Sequence, residues 1–132
     1  MGKTDRRYLL EEWRKKNQLV PVERYHEIEK RYHKKKYMMP HEDALRKLLR
    51  RVMDDNIGVR EIGINLREPG IAEYDLVVVT EDDEIICFEV KTTRNGRKYA
   101  KKQVNKFRRR MGNNGTHGFT YIGEEDLLEK IF

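Results

Sequence analysis

The 132-residue chain has one cysteine, Cys87, three prolines and one tryptophan, and no uninterrupted apolar run longer than four residues. A single cysteine excludes a disulfide framework and any cysteine-bound zinc or iron–sulfur cluster within one chain. The longest apolar runs, Leu76–Val79 and Ile85–Phe88, fall far short of a membrane span or the apolar stretch of a signal peptide. The expectation is a reducing, intracellular, cytoplasmic setting with no membrane partner. A glycine-rich phosphate loop and a Gly-x-Ser-x-Gly elbow are also missing. His26, His33, His41 and His117 show no metal-ligand spacing with carboxylates, and Cys87 reads as a small buried hydrophobe. Acid is missing locally too, with none between Arg94 and Gly123.

What is present is charge, and it is segregated. Charged residues make up 39% of the chain, with 29 Lys and Arg against 23 Asp and Glu, a formal net charge of +6. Residues 1–40 carry 12 basic and 6 acidic side chains, residues 41–93 carry 7 and 13, and residues 94–123 carry 9 and none. An acidic centre between basic flanks suits a polyanion gripped from outside while carboxylates hold a cation against it. Nucleic acid, and DNA first, is the expected partner. At 37% hydrophobic the chain is polar, but its apolar residues are periodic, which suits one small folded core.

The first forty residues read as a basic helical extension, with a domain from residue 41 to 132. Thr4 is placed to cap a helix with Tyr8, Leu9, Leu10 and Trp13 as its stripe, and Asn17 to stop it. Pro21 then opens a second helix carrying Val22, Tyr25, Ile28 and Tyr32, ending in Lys34–Lys36. This extension suits an arm on the core, a dimerisation element or a nucleic-acid grip. Beyond it, Leu45, Leu48, Leu49, Val52 and Met53 predict an amphipathic helix. Val59, Ile62 and Ile64 suggest a strand. Tyr74–Thr80 and Glu84–Lys91 read as strands buried on both faces, joined by the turn Glu81-Asp82-Asp83. A basic helix with Ala100, Val104, Phe107 and Met111 inward follows, then a strand over Phe119–Ile122 and a last helix over Glu124–Phe132. From residue 42 the order is α-β-β-β-α-β-α.

Side chains alternate along a strand, so Cys87, Glu89 and Lys91 share one face. If the two central strands pair, Asp75 comes beside Glu89. Two carboxylates that close repel unless a cation lies between them, and Mg²⁺ prefers such oxygens together with waters and a phosphate. Asp75 followed by Glu89-Val90-Lys91 resembles the signature of the PD-(D/E)XK nuclease superfamily. The likeness is greatest to archaeal-type Holliday junction resolvases and RecB-type nuclease domains. Tyr74 stands where the name-giving proline would be. The resemblance covers residues 41 to about 123 and implies an α/β, restriction-endonuclease-like core (α-β-β-β-α-β), a central mixed sheet flanked by helices, here with the N-terminal helical extension.

The resemblance further implies a Mg²⁺-dependent deoxyribonuclease, with Mn²⁺ able to substitute and no organic cofactor. Asp75, Glu89 and the carbonyl of Val90 would hold the metal, and Lys91 would orient the attacking water. Glu42 lies on the core-facing stripe of its helix; it reads either as an assisting metal ligand or as a first-turn carboxylate favoured by the helix dipole. Gln103, with an aromatic four residues on at Phe107, matches a RecB-type spacing and would position a phosphate or the water. Glu73 is a possible accessory ligand. Lys98, Lys101, Lys102, Lys106, Arg109 and Arg110 would follow the DNA backbone. Small size and the resolvase likeness favour an endonuclease acting on branched DNA such as Holliday junctions, as a homodimer. The alternatives are an exonuclease or end-acting nuclease of the same fold, or a non-catalytic nucleic-acid-binding module.

Overall fold

A computed structural model of the chain describes residues 2–25, 27, 30, 40–55 and 57–132. The expected second helix lies largely outside them, as do Ile28, Tyr32, His26, His33 and the run Lys34–Lys36. The described residues form α1 (Gly2–Lys15), β1 (Leu19–Pro21), α2 (Pro40–Asp54), β2 (Val59–Glu68), β3 (Ala72–Thr80), β4 (Ile85–Lys91), α3 (Arg97–Met111), β5 (Thr116–Ile122) and β6 (Leu127–Lys130). The strands make one sheet in the order β1-β2-β3-β4-β5-β6. The β4–β5 pair is parallel and the other pairs are antiparallel. From α2 to β5 this is the α-β-β-β-α-β order of a restriction-endonuclease-like core, with a mixed sheet and helices on both faces.

Burial on both faces follows from the sequence pattern. Leu45, Leu48, Leu49 and Val52 of α2 close on Ile62, Leu76, Val78, Phe88 and Val90 on one side. Leu9, Leu10 and Trp13 of α1, with Phe107 and Met111 of α3, close on Val77, Val79, Ile85 and Cys87 on the other. Central strands covered on both sides need apolar residues at every position, which is why β3 and β4 read as runs rather than alternations. One position breaks the regularity. Asn65 has a left-handed backbone, φ +53°, and lies between the pairs Ile64–Leu76 and Leu66–Tyr74, level with Asp75. On either side of it the strands exchange faces. Ile64 and Leu76 pack with the α2 cluster, whereas Leu66 and Tyr74 pack with the α1 and α3 cluster. The irregularity turns β3 over at Asp75.

Three expectations at the ends of the chain are corrected. Helix α1 begins at Gly2, two residues before Thr4, so Thr4 is not its cap; Asn17, at φ +57°, does end it. Leu19–Pro21 is an edge strand paired to β2 where a plain break was expected, and Pro21 then leads into a 3₁₀ helix over Val22–Arg24; three residues are too few to show a period. The segment after β5 is a 3₁₀ turn over Gly123–Glu125 followed by β6, not a helix. Asp126 sets that course. Its backbone is left-handed at φ +49°, its carboxylate accepts the Tyr121 hydroxyl at 2.5 Å, and Arg51 donates to its carbonyl at 2.9 Å. Leu127 and Leu128 then pair with Ile122 and Tyr121, so sheet pairing overrides local helix preference.

Trp13 ties α1 to this sheet. It is 1% exposed, its indole N–H donates to the Arg67 carbonyl at 2.9 Å, and its ring meets Tyr74 edge-on at 6.0 Å. Truncation by Trp13→Ala should cost about 3–5 kcal/mol, read as a lowered denaturant midpoint in one cooperative transition. A change near zero would mean that α1 is not part of the cooperative core.

Candidate active site

The ladder between β3 and β4 runs from Val79–Ile85 to Leu76–Phe88 and stops there. One step further, where β3 turns over, the backbone groups find side chains instead. The Val90 N–H donates to Asp75 Oδ2 at 2.8 Å, and the Asp75 N–H donates to Glu89 Oε1 at 3.3 Å. Two carboxylates thus complete a ladder that backbone has left open, meeting the demand that buried N–H groups be paired. The juxtaposition of Asp75 and Glu89 expected from the sequence is present.

His41 joins them from the first turn of α2. Its Nε2 lies 3.1 Å from the Val90 carbonyl and 3.5 Å from Asp75 Oδ2. Sequence spacing had set this residue aside. Its partners come from strands more than thirty residues away, so no local ligand pattern marks it. Glu42, beside it, is half-buried in the same turn. Glu73 is exposed and faces Arg67 at 3.7 Å.

The charges at this point are strongly perturbed. Glu89 is 3% exposed. Burial first, then the neighbouring Asp75 charge, lifts its carboxyl well above the carboxylate range. Burial also raises Asp75, but hydrogen bonds from His41, the Val90 N–H and Glu89 more than offset that and leave it lowered. The hydrogen bond to Asp75 raises His41 in turn, against the cost of its burial. Burial and mutual repulsion therefore disfavour a second charge at this point, and Glu89 holds its proton more tightly than Asp75 does.

Among the described residues no three His, Cys, Asp or Glu side chains stand as a ready metal cage. The donor chemistry nevertheless fits a hard cation. Mg²⁺ is commonly held by one or two carboxylates with the remainder from water and substrate phosphate. Here two carboxylates share one buried place that cannot accept both charges unaided.

Lys91 ends β4 on the Glu89 face. Its Nζ sits 4.6 Å from the ring centre of Tyr99 on α3, and the Tyr99 hydroxyl accepts from Gln103 Nε2 at 2.8 Å. Gln103 and Lys91, singled out separately in the sequence, are linked through Tyr99, which was not. The four-residue spacing of Tyr99 and Gln103 on one helix was the available signal.

Of the expected DNA contacts, Lys98, Lys102 and Arg109 form an exposed ridge on α3, opposite Ala100, Val104 and Phe107. Lys106 flanks that ridge, half-buried. Lys101 turns to Glu129 at 3.8 Å. Arg110 is corrected as a phosphate contact, because its guanidinium holds the buried Glu68 carboxylate through two nitrogens. A buried carboxylate without that partner would be costly.

No family model matches the chain, and no curated protein matches it. Among solved structures it is similar to one described as the crystal structure of a repair endonuclease from Pyrococcus abyssi, at 15% identity and a TM-score of 0.47. The match covers 67% of this chain and 39% of that one, so the chain spans well under two thirds of that protein.

Proposed function

We propose that this chain is a metal-dependent DNA endonuclease that hydrolyses phosphodiester bonds, with branched DNA as its first candidate substrate. The observation that carries the reading is the fork between β3 and β4, where Asp75 and the buried Glu89 each accept a backbone N–H from the opposing strand, with Lys91 on the Glu89 face. Charged side chains are kept out of cores unless paired, and a carboxylate pair is an expensive way to finish a ladder that serine or asparagine would finish cheaply.

Asp75, Glu89 and the Val90 carbonyl are the residues that would hold Mg²⁺ or Mn²⁺, with His41 beside them and Glu42 next to it in the first turn of α2. A bound divalent cation supplies Lewis-acid stabilisation of the phosphate and a water of lowered pKa. Asp75 is already ionised and fixed by the Val90 N–H. Glu89 would release its proton to solvent on holding the cation. Lys91 presents a positive charge where the phosphoryl oxygens gain negative charge. Lys98, Lys102 and Arg109 hold the backbone without reading bases. Cutting both strands of a junction requires two such sites, which calls for a homodimer, with the mass in solution as its check.

The test is cleavage of labelled four-way junction, flap, duplex and single-stranded DNA with Mg²⁺, Mn²⁺ or EDTA. Cutting should require the metal and fall by roughly 10³-fold or more in Lys91→Ala, a loss comparable to that of other preorganised electrostatic groups. Affinity should fall with salt with a slope of about −0.9 per phosphate contact on duplex DNA, and each ridge cation removed should lessen that slope by about one. Salt-sensitive binding of every substrate without cutting would leave the non-catalytic binding module in its place. Preference for free ends would point to the exonuclease.

A further inference from the structure

A lysine at the end of a strand has four rotatable bonds and a strongly hydrated head. Left to itself Lys91 would scatter over many positions, and little of its charge would fall where the chemistry needs it. Two contacts prevent this. The first is Gly96, in the 3₁₀ turn Arg94–Gly96 that leads into α3. A Cβ added there would fall 2.6 Å from Lys91 Cδ and 2.8 Å from Cγ, so the stem of Lys91 runs against bare backbone. The second is the Tyr99 ring under its ammonium.

Tyr99 is 56% exposed, and an exposed ring is not fixed by packing. Its hydroxyl is fixed by Gln103. That amide is 8% exposed, and its Oε1 has no hydrogen-bond partner among the described residues. A leucine would fill this place without an orphaned polar atom. Among the described residues the amide bonds to Tyr99, which accounts for its presence in the core. The chain of contacts therefore runs from the core through Gln103 and Tyr99 to the ammonium of Lys91.

We propose that Tyr99 is a positioning residue that holds the Lys91 ammonium over its ring beside the Asp75–Glu89 pair, with Gln103 fixing the ring by its hydroxyl. The catalytic consequence rests on the nuclease reading, whereas the contact itself does not. The experiment is therefore double. By NMR, the Lys91 ε-methylene protons, identified by their loss in Lys91→Arg, should be shifted upfield by the ring in wild type. In Tyr99→Leu they should move to the free-lysine position. By kinetics on the preferred DNA, Tyr99→Leu should lower kcat roughly tenfold with KM and the salt slope unchanged. Tyr99→Phe keeps the ring but loses the bond from Gln103, as Gln103→Leu does, so both variants should fall between wild type and Tyr99→Leu in resonance and in kcat.

A free-lysine resonance in wild type would overturn the proposal, as would an unchanged kcat in a Tyr99→Leu protein whose resonance has moved. A rise in KM at constant kcat would overturn it too, by making Tyr99 a platform for a base. A wild-type protein that cuts nothing yet shows the shifted resonance would bring down the nuclease reading and support the clamp. Because Tyr99 lies at the surface, these variants should fold, and an unchanged thermal midpoint confirms it.

Discussion

Replacing Glu89 with glutamine should lower cleavage by about 10³-fold or more while raising the thermal midpoint. Both effects come from one carboxyl. Glu89 is buried and shares its place with Asp75, so ionising it costs desolvation and like-charge repulsion together. Glutamine has nearly the same shape, and its Oε1 can still accept the Asp75 N–H that Glu89 accepts now. What disappears is the second ionisable group. At pH 8 the variant should gain about 1–2 kcal/mol, a few degrees in midpoint for a chain of this size. On the proposed reading it would also lose an anionic oxygen from the cation site, and a neutral amide oxygen would hold Mg²⁺ more weakly. Opposite signs for stability and activity are the mark of a strained functional site. Lys91→Ala gives the contrast, since it leaves both carboxylates of the fork in place and should lose activity without gaining stability. A Glu89→Gln protein that still cuts at the wild-type rate would show that Glu89 is not a ligand. A lowered midpoint would show that the pair is not strained.

The fold was most legible where periodicity was long. Leu45, Leu48, Leu49 and Val52 on α2, and Ala100, Val104, Phe107 and Met111 on α3, are buried as their spacing predicts. The apolar runs of β3 and β4 marked central strands because every position there meets one of two cores. Short elements gave no such signal. Three residues of β1 and four of β6 owe their extended form to the neighbouring strand, and Asp126 redirects the chain through contacts with Tyr121 and Arg51 that no local rule contains. At the site, Asp75, Glu89 and Lys91 were legible because strand alternation and one hairpin relate them. The turnover at Asn65 was not, yet it frees Asp75 to aim at the Val90 N–H. His41 was hidden because its partners are distant in sequence. Arg110 looked like one more cation of a basic helix, and only the buried Glu68 across the core separates it from Arg109.

Without metal, the midpoint should be highest in mildly acidic solution and fall toward pH 9. The sign follows from which state binds more protons. Glu89 titrates higher in the folded chain than its ordinary 4.5, so the folded state holds an extra proton, and the stability it brings is lost as pH rises through the folded value. His41, raised above its ordinary 6.5 by its bond to Asp75, acts in the same direction. Asp75 is lowered from 3.8, so its contribution is present above that pH and disappears as pH falls through the folded value. An acid limb and an alkaline limb result, the latter no steeper than about 1.4 kcal/mol per pH unit for one proton. Net charge works the other way, since a chain with a pI near 9.4 repels itself less as pH rises. A fall toward pH 9 therefore runs against the charge trend, and Glu89→Gln should remove most of it, leaving the parts due to His41 and to the buried Cys87 thiol, whose pKa burial pushes up. If Glu89 is a ligand, Mg²⁺ at millimolar concentration would displace its proton, and the stabilisation it gives should grow with pH. Calorimetry from about pH 2 to 9 with Mg²⁺ or EDTA, on wild type and Glu89→Gln, reads every limb. A midpoint that stays flat or climbs from pH 6 to 9 in EDTA would show that Asp75 and Glu89 ionise together without a cation, and the argument that this fork was built to hold one would fall with it.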